Sequence, residues 1–260
     1  MKINYAPPPA NRCFVQTTPL SSHRLVTERR KTHKKIFIII FTTFATFYNR
    51  LVRVRDGNLR VAVLCELLSV AVNAVDTMAI PIPRGDGAVY GVWGDGAVGF
   101  ATAVVLRHRH PGARIVVFGH SEAKQRYFSF AESAQATGRV DGIEVAFECV
   151  GGNAVSEVVD EMIGLIRPQG VINLLGVSEY RQGLNTRMIL EKGLTVRGHS
   201  RSSRGDFEEA AGMIDGSGWV RESLQSIISE EVPVRSAGDI HMAFERDTYN
   251  DFKTVLKWGV

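Results

Sequence analysis

Residues 88–118 read AVYGVWGDGAVGFATAVVLRHRHPGARIVVF, and this stretch decides the fold. Residues 88–93 form a continuous apolar run, which is typical of a buried strand. A G-x-G-x-x-G turn follows at residues 94–99, and the helical pattern of residues 100–109 ends at Pro111 and Gly112. Residues 114–118 are a second apolar run. The stretch therefore predicts a strand, a glycine-rich turn, a helix and a second parallel strand.

The glycines at residues 94–99 predict a dinucleotide-binding turn. Gly94 permits a tight turn, Gly96 lets the backbone approach a pyrophosphate, and Gly99 allows the helix to pack closely on the strand. The helix start also offers N–H groups and a positive dipole to phosphates. A glycine turn with a purely structural role is the alternative. The cofactor-binding residues predicted here are Gly94, Asp95, Gly96, Ala97, Val98 and Gly99.

The residues after the second strand indicate which dinucleotide binds. An NAD site usually places Asp or Glu there, bonded to the ribose 2′-hydroxyl. This chain has Gly119-His120-Ser121 instead, with Lys124 and Arg126 close behind. We expect no carboxylate that would repel a 2′-phosphate, whereas the serine can hydrogen-bond it and the cations can pair with it. The sequence therefore favours NADP over NAD, with His120, Ser121 and Lys124 as contacts. A helix start capped by Ser121 is the alternative.

Three more strands and two helices are predicted downstream. The strands are the apolar runs at residues 143–150, 171–176 and 194–198. One helix covers residues 155–166 and is closed by Pro168 and Gly170. The other begins with Ser-x-x-Asp at residue 203, and its predicted inward residues are Phe207, Ala210, Ala211 and Ile214. This pattern predicts an α/β fold with a Rossmann-type doubly wound parallel sheet.

Ligands bind at the carboxyl ends of the strands in such a sheet. The residues that follow two of the predicted strands are therefore further candidates for cofactor contact. Ser178 lies where these sheets meet the nicotinamide, and a plain loop serine is its alternative interpretation. The predicted contacts are Val150, Gly151, Gly176, Val177 and Ser178.

Charge divides the chain of 260 residues into two unlike parts. Residues 1–60 carry twelve Lys or Arg against two acids, whereas the remaining residues carry nineteen bases against twenty-five acids. The overall charge of +4 therefore says little about the partners of the main body, and we predict no nucleic-acid partner. Apolar residues at 45% and charged residues at 22% exclude a disordered, collagen-like or polytopic membrane protein.

The first fifty residues lack the regular pattern of the main body. Residues 1–35 contain a proline triplet and a basic run, and we expect them to be flexible. The apolar run at residues 36–47 is shorter than the about 20 residues of a membrane helix, and its β-branched and aromatic content favours a strand. Membrane insertion, export and a nucleic-acid-binding arm are the alternatives. Cys13, Cys65 and Cys149 are too widely spaced for a disulfide framework, so we predict a cytoplasmic location.

Distinctive motifs recur from about residue 56 to the end of the chain. They are GVWGDG at 91–96, FECVGG at 147–152, LGVSE at 175–179, NTR at 185–187, LEKGLT at 190–195, SRS at 200–202 and KTVLKW at 253–258. Together they resemble the zinc-type medium-chain dehydrogenase/reductases, and more narrowly the ribulose-5-phosphate reductases. The resemblance implies NADPH-dependent reduction of D-ribulose 5-phosphate to D-ribitol 5-phosphate. It also implies that the product supplies polyribitol-phosphate polymers such as teichoic acid or capsule.

The resemblance includes residues 65–74, which are similar to the helix that precedes the cofactor domain in that superfamily. It makes Glu66 a candidate metal ligand or a carboxylate beside the metal, with zinc as the metal expected for the family. The Cys-containing loop and the His-Glu pair that would complete the zinc site are absent from the sequence. We therefore expect an incomplete zinc site and a truncated or degenerate N-terminal region, its first fifty residues non-native. Among the basic residues that could meet a sugar phosphate, Arg201 is retained.

Four segments are predicted. They are an atypical basic and apolar segment (1–55), a linker helix (56–87), an NADP-binding Rossmann domain (88–230) and a segment that returns toward the catalytic domain (231–260). The expected partner is a small sugar phosphate, a membrane partner is not expected, and the resemblance implies a possible homodimer. The alternatives are a catalytically inactive NADP-binding remnant, or an interaction or membrane-tethered protein that uses residues 29–48.

Overall fold

The computed structural model of the protein describes residues 36–38, 52–76, 87–134 and 140–258. All of them belong to one compact unit that extends from residue 35 to residue 260. The predictions for residues 1–35, with Cys13, lie outside the described residues. Of the apolar run at 36–47, the described part is Ile36–Ile38. It forms strand β1, which pairs antiparallel with β2 (Val52–Val54) and agrees with the predicted strand over these residues.

Six strands form the central sheet, and all except the two-residue strand at 132–133 contain β-branched residues. They are β3 (Val89–Trp93), β4 (Arg114–Phe118), β5 (Glu132–Ser133), β6 (Ile143–Glu148), β7 (Ile166–Leu174) and β8 (Thr195–Gly198). All pairs are parallel, in the order β5-β4-β3-β6-β7-β8. The chain moves outward from β3 to β5, returns beside β3, and then moves outward to β8. This reversal confirms the predicted Rossmann-type doubly wound α/β sheet.

Helices cover both faces of this sheet. The described helices are α1 (Leu59–Ala62), α2 (Cys65–Asp76), α3 (Ala97–Arg109), α4 (Glu122–Gln125), α5 (Val155–Leu165), α6 (Thr186–Lys192), α7 (Arg204–Gly216), α8 (Gly218–Ser226) and α9 (Ala237–Asp247). Successive strand residues face opposite sides. Val92 and Phe147 thus join the buried cluster with α2, α3, α7 and α8, whereas Trp93 and Ala146 join the cluster with α5.

Helix α7 confirms the predicted Ser-x-x-Asp start. The Ser203 hydroxyl accepts a hydrogen bond from the Asp206 N–H, and the Asp206 carboxylate accepts one from the Ser203 N–H, which completes a capping box. The Asp206 carboxylate also accepts from Asn73 Nδ2 at 3.1 Å, so α7 is tied to α2. The predicted inward residues are all buried: Phe207, Ala210, Ala211 and Ile214.

The junction of α5 and β7 differs from its prediction. The helix ends at Leu165, and the strand begins at Ile166, before Pro168 and Gly170 rather than after them. The register shifts here: Ile143 pairs with Ile166, and Val145 with Val171. The strand thus accommodates the proline in an irregular segment, where a missing N–H interrupts no regular ladder.

The last part of the chain contains elements that the sequence did not indicate. Strand β9 (Ile228–Val234) pairs in parallel with β10 (Lys253–Trp258), and α9 connects them. The predicted boundary between residues 230 and 231 falls within β9; the division into domains stays a prediction. In the part of the chain that the structure describes, every helix is too short or too polar to span a bilayer.

Two cysteines of the described part are buried and free. Burial is the main cause that raises the pKa of the Cys149 thiol from its ordinary 9.0 to about 12; the Thr102 hydroxyl opposes the rise and Glu148 adds to it. Burial likewise raises the pKa of Cys65 to about 12, and Asp215 and Glu66 add to the rise. Both thiols are therefore protonated at neutral pH.

We expect the folded chain to protect these two thiols from alkylation. At pH 8, a pKa of about 12 instead of 9.0 lowers the thiolate population roughly 1000-fold. Iodoacetamide should therefore modify Cys65 and Cys149 at least ~100-fold more slowly in folded than in urea-unfolded protein, as followed by peptide mass spectrometry. Equal rates in the two states would contradict this burial. The unfolded state loses these protons near pH 9 and the folded state near pH 12, so the two thiols should lower stability as pH rises through this interval.

Candidate functional site

The glycine-rich turn joins the end of β3 to the start of α3, and two glycines determine its shape. Gly94 has a φ of 117°, which L side chains rarely adopt, and its N–H donates to the Phe118 carbonyl at 2.8 Å. A Cβ on Gly99 would lie 1.9 Å from the Gly94 carbonyl oxygen. The helix therefore begins directly against the turn, which is the close packing that such a turn requires.

The start of α3 presents its backbone without a competing side chain. Gly96 is the N-cap and has no side chain that could cap the helix, and the first turn of the helix contains no acidic residue. Within the described part of the chain, no atom outside the immediate neighbours would lie within 4 Å of a Cβ on Gly96. Asp95, Ala97 and Val98 are half-buried. The first N–H groups of the helix and the positive end of its dipole can therefore meet a phosphate.

A carboxylate lies at the end of β4, although the sequence indicated none there. Asp95 Oδ2 accepts a hydrogen bond from the Ser121 N–H at 2.7 Å. A Cβ on Gly119 would lie 2.5 Å from the same oxygen. The expectation of a carboxylate-free strand end is therefore wrong, because parallel pairing of β3 with β4 brings the two strand ends side by side. The Ser121 N–H offsets part of this negative charge.

The turn after β4 gathers the residues predicted to recognise a 2′-phosphate. Ser121 Oγ accepts from the Lys124 N–H at 3.3 Å, so the serine does cap α4. His120 is exposed, and Ser121 and Lys124 are half-buried. Arg126 pairs with Asp251 at 3.3 Å. A hydroxyl, an imidazole and an ammonium group thus belong to one short turn beside the Asp95 carboxylate.

Two loops at the ends of β6 and β7 form the other side of the site. Val150 and Gly151 follow β6, and residues 176–178 follow β7. Parallel pairing of these strands places both loops at one edge of the sheet. The Gly152 N–H donates to the Val177 carbonyl at 2.8 Å, which joins the loops directly. The Val177 side chain is 83% exposed and can therefore contact a ligand at this edge.

The Ser178 hydroxyl is engaged within its own loop. Its Oγ donates to the Tyr180 carbonyl at 3.1 Å and accepts from Gln182 Nε2 at 2.8 Å. These bonds agree with the alternative interpretation as a loop serine. A contact of Ser178 with a cofactor stays a prediction.

Three polar residues near this edge were not singled out from the sequence. Glu148 ends β6 and is fully buried; its available signal was an acid directly after the apolar residues 145–147 of a strand. Asn173, in β7, is also buried, and its Oδ1 lies 2.8 Å from His199 Nε2. Burial lowers the pKa of His199, and Arg197 adds to the fall, so the neutral ring is favoured. Sequence periodicity alone cannot show such pairs between strands.

Among the described residues, no hydrogen bond or ion pair links Glu66 or Arg201 to the residues of this site. Glu66 is exposed in the first turn of α2. The described residues contain no group of three or more His, Cys, Asp or Glu side chains that could hold a metal ion. The described residues therefore do not fit a zinc site. Arg201 is exposed in the loop after β8, with a left-handed φ of 63° that is uncommon for a residue with a side chain.

Comparisons with known proteins agree with this architecture. Residues 123–216 match the family model described as zinc-binding dehydrogenase. A ribulose-5-phosphate reductase of Bacillus spizizenii is 32% identical over 257 residues, which cover 95% of this chain and 75% of that protein. The chain belongs to the ribulose-5-phosphate reductase family. Its membership explains why the motifs around the glycine turn and the strand ends occur together.

Two further relatives of this reductase family are similar in sequence or structure. A ribulose-5-phosphate reductase of Streptococcus pneumoniae is 39% identical over 203 residues, or 77% of this chain and 58% of that protein. The crystal structure of S. aureus TarJ in complex with NADPH has a TM-score of 0.79 at 32% identity, over 86% of this chain and 74% of that chain. The chain thus belongs to an oxidoreductase family and shares its fold with a protein that binds NADPH.

Proposed function

We propose that this chain binds NADPH at the edge of the sheet beside β3 and reduces D-ribulose 5-phosphate to D-ribitol 5-phosphate. The observation that carries the proposal is the glycine turn at the point where the strand order reverses, with an uncapped helix start and open space at Gly96. The names of the similar reductases and the NADPH-bound TarJ structure support the reaction and the cofactor.

The residues present divide naturally among the parts of this cofactor. The turn at 94–99 and the start of α3 would hold the pyrophosphate through backbone N–H groups. Residues His120, Ser121 and Lys124 would meet the 2′-phosphate. The loops after β6 and β7 would meet the nicotinamide half through Val150, Gly151, Gly176, Val177 and Ser178. When bound, NADPH supplies a hydride to a carbonyl carbon.

The substrate phosphate requires a cationic partner, and Arg201 remains our candidate. It is exposed just after the carboxyl end of β8, at the same edge of the sheet as the loops. Arginine binds phosphate by charge-assisted and often bidentate hydrogen bonds. Glu66 is the one residue that the sequence nominates as a zinc ligand. Because the described residues offer no set of zinc ligands, we assign no step to a metal.

We propose that the product serves polyribitol-phosphate synthesis, such as teichoic acid or capsule, in the cytoplasm. The four-segment organisation, with the cofactor domain at 88–230, and a homodimer belong to the same proposal. A catalytically inactive NADP-binding remnant is the alternative, because the described residues do not form a zinc site.

We expect the purified chain to bind NADPH about tenfold more tightly than NADH, or by about 1.4 kcal/mol, because Ser121 and Lys124 can bond the 2′-phosphate. Nucleotide fluorescence titrations measure both affinities. The loss of reduced-nicotinamide absorbance with ribulose 5-phosphate and zinc measures turnover. Binding without turnover would favour the inactive remnant, whereas failure to bind either nucleotide would overturn the proposed site.

A further inference from the structure

The Glu148 carboxylate is fully buried at the end of β6. Its Oε1 accepts hydrogen bonds from the N–H groups of Val150 at 2.8 Å and Gly151 at 2.7 Å. Its Oε2 accepts one from the Gly176 N–H at 3.0 Å. Burial of a carboxylate is costly unless hydrogen bonds replace its water. Here three backbone N–H groups take the place of the water around the Glu148 carboxylate.

These three N–H groups belong to two different loops. Val150 and Gly151 follow β6, whereas Gly176 follows β7. The carboxylate therefore adds a side-chain bridge to the backbone bonds between the two loops, namely from the Gly152 N–H to the Val177 carbonyl at 2.8 Å and from the Gly176 N–H to the Glu148 carbonyl at 3.1 Å. The contact is tight, since a Cβ on Gly176 would lie 2.3 Å from the Gly151 nitrogen and 2.5 Å from Glu148 Oε1. A small shift of either loop would break one of these bonds.

The bridged loops lie on one side of the glycine turn. The order β4-β3-β6-β7 places the end of β4 on one side of β3 and the ends of β6 and β7 on the other. In a doubly wound sheet a dinucleotide spans this reversal, with its adenosine ribose at the strand that corresponds to β4. The nicotinamide half therefore falls to the side that Glu148 organises.

From this geometry we infer that Glu148 is a positioning residue for the nicotinamide half of the cofactor. Through Val150, Gly151 and Gly176 it holds the loops after β6 and β7 in the arrangement that meets the ring and its ribose. The inference rests on the proposed NADPH binding. In this role the buried Glu148 side chain does not touch the cofactor. It determines the shape of the half of the site that meets the nicotinamide.

The residue type matters because of its hydrogen-bonding groups. A carboxylate offers two oxygens that only accept, whereas a glutamine offers one oxygen and one NH₂ donor. In Glu148→Gln, an NH₂ group must face either the Gly176 N–H or the N–H groups of Val150 and Gly151. The side-chain volume hardly changes, so the substitution removes one side of the carboxylate bridge and leaves the packing in place.

The test compares two ligands that share the adenosine half. We expect Glu148→Gln in the full chain to bind NADPH at least ~10-fold more weakly, and 2′,5′-ADP within about twofold of the unmodified chain, by isothermal titration. Glu161→Gln is the matched control. Its carboxylate accepts a bond from Trp93 Nε1 at 3.1 Å, an amide oxygen can replace it, and both affinities should stay within about twofold.

The outcomes separate this inference from the proposed function. Unchanged NADPH affinity in Glu148→Gln, or equal weakening of both ligands, would overturn the positioning role. Failure of the unmodified chain to bind NADPH would overturn the proposed function instead. If Glu148→Gln does not fold, the same two titrations on Glu148→Asp decide, because this variant keeps the charge but is one methylene too short to reach both loops. Selective loss of NADPH affinity supports the inference there as well.

Discussion

Gly99→Ala should lower the free energy of unfolding by about 3 kcal/mol, because the added methyl group has no room. A Cβ at this position would lie 1.9 Å from the Gly94 carbonyl oxygen, which is backbone and cannot rotate away. Gly94 cannot retreat easily. Its N–H is bonded to the Phe118 carbonyl at 2.8 Å, and a Cβ on Gly94 itself would lie 2.9 Å from the Cys149 carbonyl oxygen. The turn must therefore distort.

Thermal unfolding and urea titration measure this effect, with an expected fall in Tm of about 6 to 12 °C. Gly212→Ala is the matched control. Gly212 also lies inside a helix, is exposed, and no atom outside its own helix backbone would lie within 4 Å of the added Cβ in the described structure. This second change should stabilise the chain by about 0.5 to 1 kcal/mol, since alanine favours a helix over glycine. Equal effects of the two substitutions would show that Gly99 is not closely packed.

The order of elements around this turn could be predicted because its signals are local. A run of apolar residues, three glycines at fixed spacing and a terminal proline lie within 31 residues, at 88–118. Helix α7 was predictable for the same reason, since a capping box needs only Ser203 and Asp206. By contrast, β9 includes Glu230, Glu231 and Pro233, which obscure a strand pattern. Its stability as a strand depends on pairing with β10, which is distant in sequence.

The polar contacts of the site could not be predicted, because they form between segments that only the sheet brings together. Asp95 and Ser121 are 26 residues apart, and Glu148 and Gly176 are 28 residues apart. From the order of residues along the chain alone, Asp95 is a turn residue and Glu148 is a strand residue. The parallel register of β3 with β4 brings Asp95 to the Ser121 N–H, and that of β6 with β7 brings Glu148 to the Gly176 N–H. The glycine spacing therefore indicates where a dinucleotide binds, while the register decides how the surrounding loops are held.

Gly96→Ala should have the opposite profile to Gly99→Ala, with little effect on folding and a large effect on binding. Gly96 has a φ of −82° and a ψ of −174°, which any residue can adopt. In the described structure, no atom outside its neighbours would lie within 4 Å of its added Cβ. The free energy of unfolding should change by about 0.5 kcal/mol, because alanine is a slightly poorer N-cap than glycine.

A bound pyrophosphate would occupy the space beside Gly96, so the added methyl group should clash only when the cofactor binds. An overpacked methyl costs about 1 to 3 kcal/mol, which corresponds to ~5- to 150-fold weaker NADPH binding. Titration with NADPH, beside a Tm measurement on the same sample, tests both halves of the expectation. Wild-type affinity in a folded Gly96→Ala chain would mean that the pyrophosphate does not lie against this turn. Weak binding with a Tm lowered by only about 1 to 2 °C would instead separate the glycine that admits the ligand from the glycine that shapes the turn.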